Sequence, residues 1–286
     1  MAVYRRGYQR YQGAYTSHFT RLLAFPRFSW RRLMNQRLVD IVIIVSLFWP
    51  VACMLFVYLC HHTELWQGLG GGLTRILSVN GQFFHVFMTV QSIFAVLLAA
   101  LAGPGLIAPD LANNALPLYF SRPISRLDYV LARMLVLVGL ISFVTWIPGL
   151  LVFGMQAGMA GWGWLASNWR FGAAIFAGFA VWSLVLSLVA LASSAYVRWR
   201  IIAGAVVLGF FFVLAGAAQM IKEVMGADWA LALNPGEAMS RIWKVMLGVE
   251  LDAGPGPWTC AFALGVTALI LCWILERKLR AVEVVS

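Results

Sequence analysis

The chain has 286 residues, of which 62% are hydrophobic and only 11% charged, with a mean hydropathy of +0.84. Soluble domains carry about 25% charged residues, so this composition excludes a soluble globular domain and places the chain in the membrane class. The formal charge of +10 does not point to nucleic acid, because the basic residues flank apolar runs and no soluble basic domain remains to hold a duplex.

The first 16 residues are rich in Tyr, Arg, Gln and Gly and read as a tail. In 17–38, Pro26 suits the first position of a helix. Phe28, Trp30, Leu33, Met34 and Leu38 then alternate with Arg27, Arg31, Arg32 and Arg37. A basic helix with an aromatic side lies well in the headgroup plane of an anionic leaflet. Phe28, Trp30, Arg31 and Arg32 are its expected lipid contacts, within a tail-and-helix region of 1–40.

Six apolar runs follow at 41–60, 83–101, 134–153, 171–192, 201–221 and 258–275. Each is close to the roughly 20 residues needed to cross a bilayer, which predicts an all-α membrane domain over 41–275 with a short tail at 276–286. The first run comes after a long Arg-rich segment and reads as a retained span, not a cleaved leader. Pro50 and Pro148 fall inside spans, where each would kink the helix and free a carbonyl. Placing the N-terminus in the cytoplasm puts 16 of the 21 Lys and Arg residues inside, whereas the 11 acidic residues divide 5 inside to 6 outside. The positive-inside bias therefore predicts both termini in the cytoplasm.

The four cysteines, Cys53, Cys60, Cys260 and Cys272, lie in spans and read as small apolar packers, with Cys60 and Cys260 near enough in depth to pair. His61 and His62, with Cys60 and Glu64 nearby, do not converge as a metal site, since adjacent helical residues point about 100° apart. Their place at a span rim suits interfacial anchoring. The outer segment 154–170 reads as a loop whose Trp162, Trp164 and Trp169 form an aromatic belt. The longest outer loop, 222–257, has a turn at Asn234-Pro235-Gly236 and then a short amphipathic helix. Polar residues within spans are few, namely His85, Gln91, Ser142, Thr145, Ser183, Ser187 and Gln219. They make no row of buried charges for ion coupling and no acid–base or nucleophile set.

The segment 103–133 is a polar island between the second and third spans, with two Asp, three Arg and paired Asn. No Gly-x-x-x-x-Gly-Lys-Ser/Thr occurs in the chain, so a phosphate-binding loop is not supplied here. The run Leu118-Tyr-Phe-Ser-Arg-Pro-Ile-Ser-Arg-Leu-Asp-Tyr-Val-Leu-Ala-Arg133, with Asp110 before it, resembles the permease subunits of the ABC-2 family of ATP-driven transporters. Asp110, Leu118, Arg122, Pro123, Ser125, Arg126, Tyr129 and Arg133 match that pattern, with Arg133 where Lys is frequent. The six-span layout, the basic N-terminal helix and the long last outer loop also agree.

The resemblance implies a transporter subunit of a bacterial cytoplasmic (inner) membrane. It implies pairing with a second copy or a sister permease, and with separate cytoplasmic ATPase subunits that bind the ATP and Mg. The chain itself then needs no cofactor or metal and is not an enzyme. Asp110, Leu111, Leu116, Tyr119, Arg122, Pro123, Ser125, Arg126 and Asp128 become the residues expected to couple to the ATPase. Ser121 would cap a helix running unbroken into the third span, which would move as a rigid rod. The mainly apolar spans suit export of an amphiphilic or lipophilic cargo. In a simpler reading, Arg122, Arg126 and Arg133 obey the positive-inside bias and pair with Asp110 and Asp128. A non-transporting scaffold or assembly factor that docks a cytoplasmic partner, and a lipid-acting membrane enzyme, are the other function classes.

Overall fold

The computed structural model describes residues 18–62, 78–113, 126–197 and 199–283, and their regular structure is entirely helical. In chain order the α-helices are α1 His18–Met34, α2 Arg37–His61, α3 Gly81–Ala102, α4 Pro104–Ala112, α5 Arg126–Val144, α6 Trp146–Ala160, α7 Trp162–Tyr196, α8 Arg200–Met225, α9 Pro235–Met246 and α10 Pro257–Glu283. A 3-10 helix, Asp228–Leu233, precedes α9. Six stretches are long and apolar enough to span a membrane: Arg37–His61, Gly81–Asp110, Leu127–Ala160, Trp162–Tyr196, Arg200–Met225 and Pro257–Lys278. Each contains one of the six apolar runs.

Burial orders these spans. The apolar window of α7 is 72% buried, whereas that of α8 is 17% buried. A helix that is apolar all round is stable only when protein or lipid covers every face, and α7 is covered by protein. Its Phe179, Trp182, Leu186 and Val189 meet α3, α5 and α9 in one continuous core. Close approach depends on small residues. A Cβ on Gly103 would lie 2.5 Å from Ala190 Cβ, and one on Gly178 would lie 2.6 Å from Trp243 Nε1.

Three sequence expectations change. Pro26 is not at the start of α1 but inside it, since the helix is already formed at His18. α1 packs along α5, with Trp30 against Gly139, and propensity at a single proline is a weak guide against tertiary packing. The third span is not a rigid rod. It breaks at Thr145 (φ −107°, ψ −91°) between α5 and α6, because Pro148 has no N–H for the carbonyl four residues earlier. Finally, most of 154–170 is helical rather than loop. α6 runs to Ala160, Gly161 makes the turn at φ 85°, and α7 begins at Trp162. That positive φ is one that glycine adopts without strain.

The loop 222–257 folds back on the bundle. Asn234 Oδ1 accepts from the Gly236 N–H to cap α9. Trp243 and Met239 of α9 are buried in the core, and the helix packs against α3, α7, α8 and α10. The buried Arg241 gathers the chain beyond α9 by donating to the Asp252 and Ala253 carbonyls, both at 3.1 Å, while Nε pairs with Glu237 at 3.0 Å. Lys244 pairs with Asp252 and, by that hydrogen bond, holds its carboxyl below the ordinary carboxylate range.

Candidate functional site

At the end of the bundle that carries α1, four side chains from three helices meet in a buried polar cluster. Tyr129 and Arg133 stand one turn apart on α5, so both project to the same side. Arg133 Nη2 donates to Asp110 Oδ2 of α4 at 2.5 Å, and the Tyr129 hydroxyl donates to the same oxygen at 2.7 Å. Arg133 Nη1 donates to Ser29 Oγ of α1, also at 2.5 Å. The Arg133 Cζ lies 5.2 Å from the Tyr129 ring centroid. The Arg133 and Asp110 side chains are only 9% and 11% exposed. A pair this deep is costly to desolvate, and removing either partner alone leaves an uncompensated charge, typically at about 3–5 kcal/mol. The cluster therefore ties α1, α4 and α5 together through one buried ion pair.

α4 is held from its other side as well. Ala108 N–H donates to Ser194 Oγ of α7 at 2.9 Å, and that hydroxyl donates to the Pro104 carbonyl at 3.3 Å. The hydroxyl thus stands between two groups that would bond to each other in a regular α-helix. Asp110 is presented on a short helix pinned by a buried serine.

A second polar device lies at the middle of the bundle. Gln91, fully buried on α3, donates from Nε2 to the Ser46 carbonyl at 3.2 Å and to the Val144 carbonyl at 2.5 Å. These are the carbonyls four residues before Pro50 and Pro148, the ones each proline strips of its helical donor. One amide therefore satisfies both proline breaks, and it ties the first and third spans to the second. Thr145 Oγ1 adds a bond to the Ile141 carbonyl at 2.8 Å beside the break. Gln91 Oε1 is buried with no partner among the described residues.

The expected coupling residues divide. Asp110 is buried in the cluster and faces inward, and Asp128 is half-buried on α5. Leu111 and Arg126 lie in helices, but their side chains are outside the described residues. Leu116, Tyr119, Arg122, Pro123 and Ser125 lie outside them altogether. Of the expected interfacial residues, Phe28, Arg31 and Arg32 are exposed, whereas Trp30 turns inward against Gly139, where a Cβ would meet its ring at 3.0 Å. The pairing of Arg133 with Asp110 follows the simpler charge reading. The sequence reading gave no task to Ser29 or Gln91. The readable signal for Gln91 was two intramembrane prolines and one buried amide at matching depth.

No metal cluster of three or more His, Cys, Asp or Glu occurs among the described residues. His61 Nε2 is 3.1 Å from Gln156 Oε1, and His62 stacks on Tyr58 at 4.1 Å, so each has a local partner. All four cysteines are free. No protein-family model matches the chain, and no protein of curated function matches it in sequence.

Proposed function

We propose that the chain is the membrane-spanning permease subunit of an ATP-driven transporter of the ABC-2 type, exporting an amphiphilic or lipophilic cargo. In this reading both termini are cytoplasmic and the membrane is a bacterial inner membrane. A second permease copy or sister permease completes the pathway, and separate ATPase subunits supply the energy. The observation that carries the reading is the Asp110–Tyr129–Arg133–Ser29 cluster. It joins the residues flanking the Arg-Pro-x-Ser-Arg run to both the N-terminal helix and the third span. A force applied to 114–125 would be delivered to α1 and α5 together.

Asp110 then acts as an internal tie and not as a contact for the ATPase. Arg122 and its neighbours are the residues expected to meet the ATPase. Motion within the third span is taken up at Thr145, with Gln91 holding the joint in one arrangement. The test is cargo-stimulated ATPase activity in a reconstituted complex. Arg122→Ala is expected to reduce stimulation with assembly and folding intact, and Asp110→Asn to reduce it while loosening α4. Wild-type stimulation in both variants would overturn the reading.

A further inference from the structure

α7 is the most buried of the six spans, and what it leaves bare below the Asn168 break is mainly one stripe. Arg170, Ala173, Ala177, Val181 and Leu184 are exposed at steps of three and four residues, so they share a face of the helix. Further along, Leu191, Ala192 and Ala195 are buried, and protein closes the stripe at that end. Midway, α5 and α10 both pack on α7 and leave a cavity of about 510 Å³ between them. Val181 and Leu184 form its floor and are 46% and 45% exposed, so the cavity is open along one side. Met134 of α5 and Gly265 of α10 line it from either side, and α9, whose Trp243 packs on Gly178, contributes Ile242. Every described residue lining it is apolar. The space beside Gly265 is empty, since a Cβ there would meet nothing within 4 Å.

The volume falls within the range of small-molecule sites, about 300–1,000 Å³. An apolar groove open along the side of a membrane-length helix faces hydrocarbon, which makes an acyl chain its fitting occupant. The charge at the open end of the stripe tells what carries that chain. Arg170 is exposed and has no hydrogen bond or ion pair to another described residue. It stands beside Trp169, which is 62% exposed. A tryptophan and an arginine bare at the end of a span belong at headgroup depth, where a guanidinium is suited to phosphate. Arg170 and Val181 are eleven residues apart, about 17 Å along the helix axis. One leaflet's hydrocarbon is about 15 Å deep, half of a core of roughly 30 Å. A phosphate at Arg170 therefore brings its acyl chain into the groove from its own leaflet. We infer that the groove between α5, α7 and α10 holds one acyl chain of an anionic phospholipid whose phosphate sits at Arg170. The site requires only that the spans lie in a bilayer, and it does not depend on any transport activity.

The test is reconstitution of the full chain in vesicles of phosphatidylglycerol or phosphatidylcholine carrying a photoactivatable group near the end of one acyl chain. Labelled peptides are then read by mass spectrometry. The wild type is expected to concentrate label on 177–188 and 261–268, about fivefold more from phosphatidylglycerol than from phosphatidylcholine. Gly265→Leu fills the empty space without a clash at its Cβ, so it should lose this label while keeping the wild-type melting temperature. Gly216→Leu, the same change at an open and exposed position of α8, should keep the label. Arg170→Gln should bring labelling by phosphatidylglycerol down to the phosphatidylcholine level. Lys222→Gln, which removes a charge at the same end of the bundle, should not. Label spread evenly over the exposed spans, or groove label unchanged in Gly265→Leu, would overturn the site. An unlabelled groove in the wild type, as a second copy seated there would leave it, overturns it too, and so does equal labelling by the two lipids.

Discussion

Replacing Gln91 by Leu keeps the volume nearly constant and removes the amide that two carbonyls depend on. Gln91 Oε1 has no partner of its own among the described residues, so the substitution strands no donor there. The cost is therefore that of leaving Ser46 O and Val144 O bare in the bundle core, with prolines at 50 and 148 unable to supply an N–H. An unsatisfied buried acceptor costs about 1–3 kcal/mol, while side-chain bonds in membrane proteins average about 0.6 kcal/mol. Two such bonds bracket the expected loss at roughly 1–6 kcal/mol. Reversible unfolding in mixed micelles of lipid and denaturing detergent measures it. The deciding comparison is a double-mutant cycle with Pro50→Ala and Pro148→Ala, which return a backbone N–H to each carbonyl. In that background the cost of Gln91→Leu should fall by more than about 0.5 kcal/mol, the scatter within which independent sites add. An equal loss in both backgrounds would refute the link between the amide and the prolines.

Asp110→Ala should destabilise the chain by about 3–5 kcal/mol by removing the carboxylate of a buried ion pair, and Asp110→Leu combined with Arg133→Met should recover most of that loss in the same unfolding assay. Gly178→Ala should cost about 1–3 kcal/mol, because the added carbon falls 2.6 Å from Trp243 Nε1, whereas Gly209→Ala, with open space around it, should be nearly neutral. Arg241→Met should release 252–255, read as faster hydrogen exchange and protease cleavage between α9 and α10 with the spans unaffected. Because the Asp252 carboxyl is held below its ordinary value of 3.8, the Lys244–Asp252 link contributes fully above that pH and is lost as pH falls through the depressed value; protection of the same segment should drop over that acidic interval and not near neutrality.

The helical membrane architecture was legible because twenty-residue apolar runs have few other physical solutions; five recur within single helices and the third within two, broken at Thr145. The α9 helix was legible from Asn234-Pro235-Gly236 and the amphipathic residues after it. The joint at Thr145 was half legible. Pro148 announced a lost hydrogen bond, but whether the helix bends or breaks depends on what receives the Val144 carbonyl, and that residue is 53 positions away. Trp30 and Phe28 show the same limit. Both are aromatic neighbours on one basic helix, yet only contact with Gly139 separates the one that packs from the one that stays exposed. Asp110 was noticed as a conspicuous acid, but its direction was invisible. A carboxylate in a connector points outward by default, and the inward turn requires Tyr129 and Arg133 at helical spacing and a Ser194 hydroxyl to set the short helix that carries it.

The central claim is that this chain is driven by an ATPase it does not itself contain. Affinity purification of the tagged full chain from native membranes in mild detergent, followed by protein identification and an ATPase assay on the eluate, tests it most directly. The expected result is a stoichiometric soluble partner bearing a Walker-type phosphate loop, with ATPase activity that falls when Arg122→Ala is the bait. Elution of the well-folded chain with no such partner and no ATPase activity would contradict it.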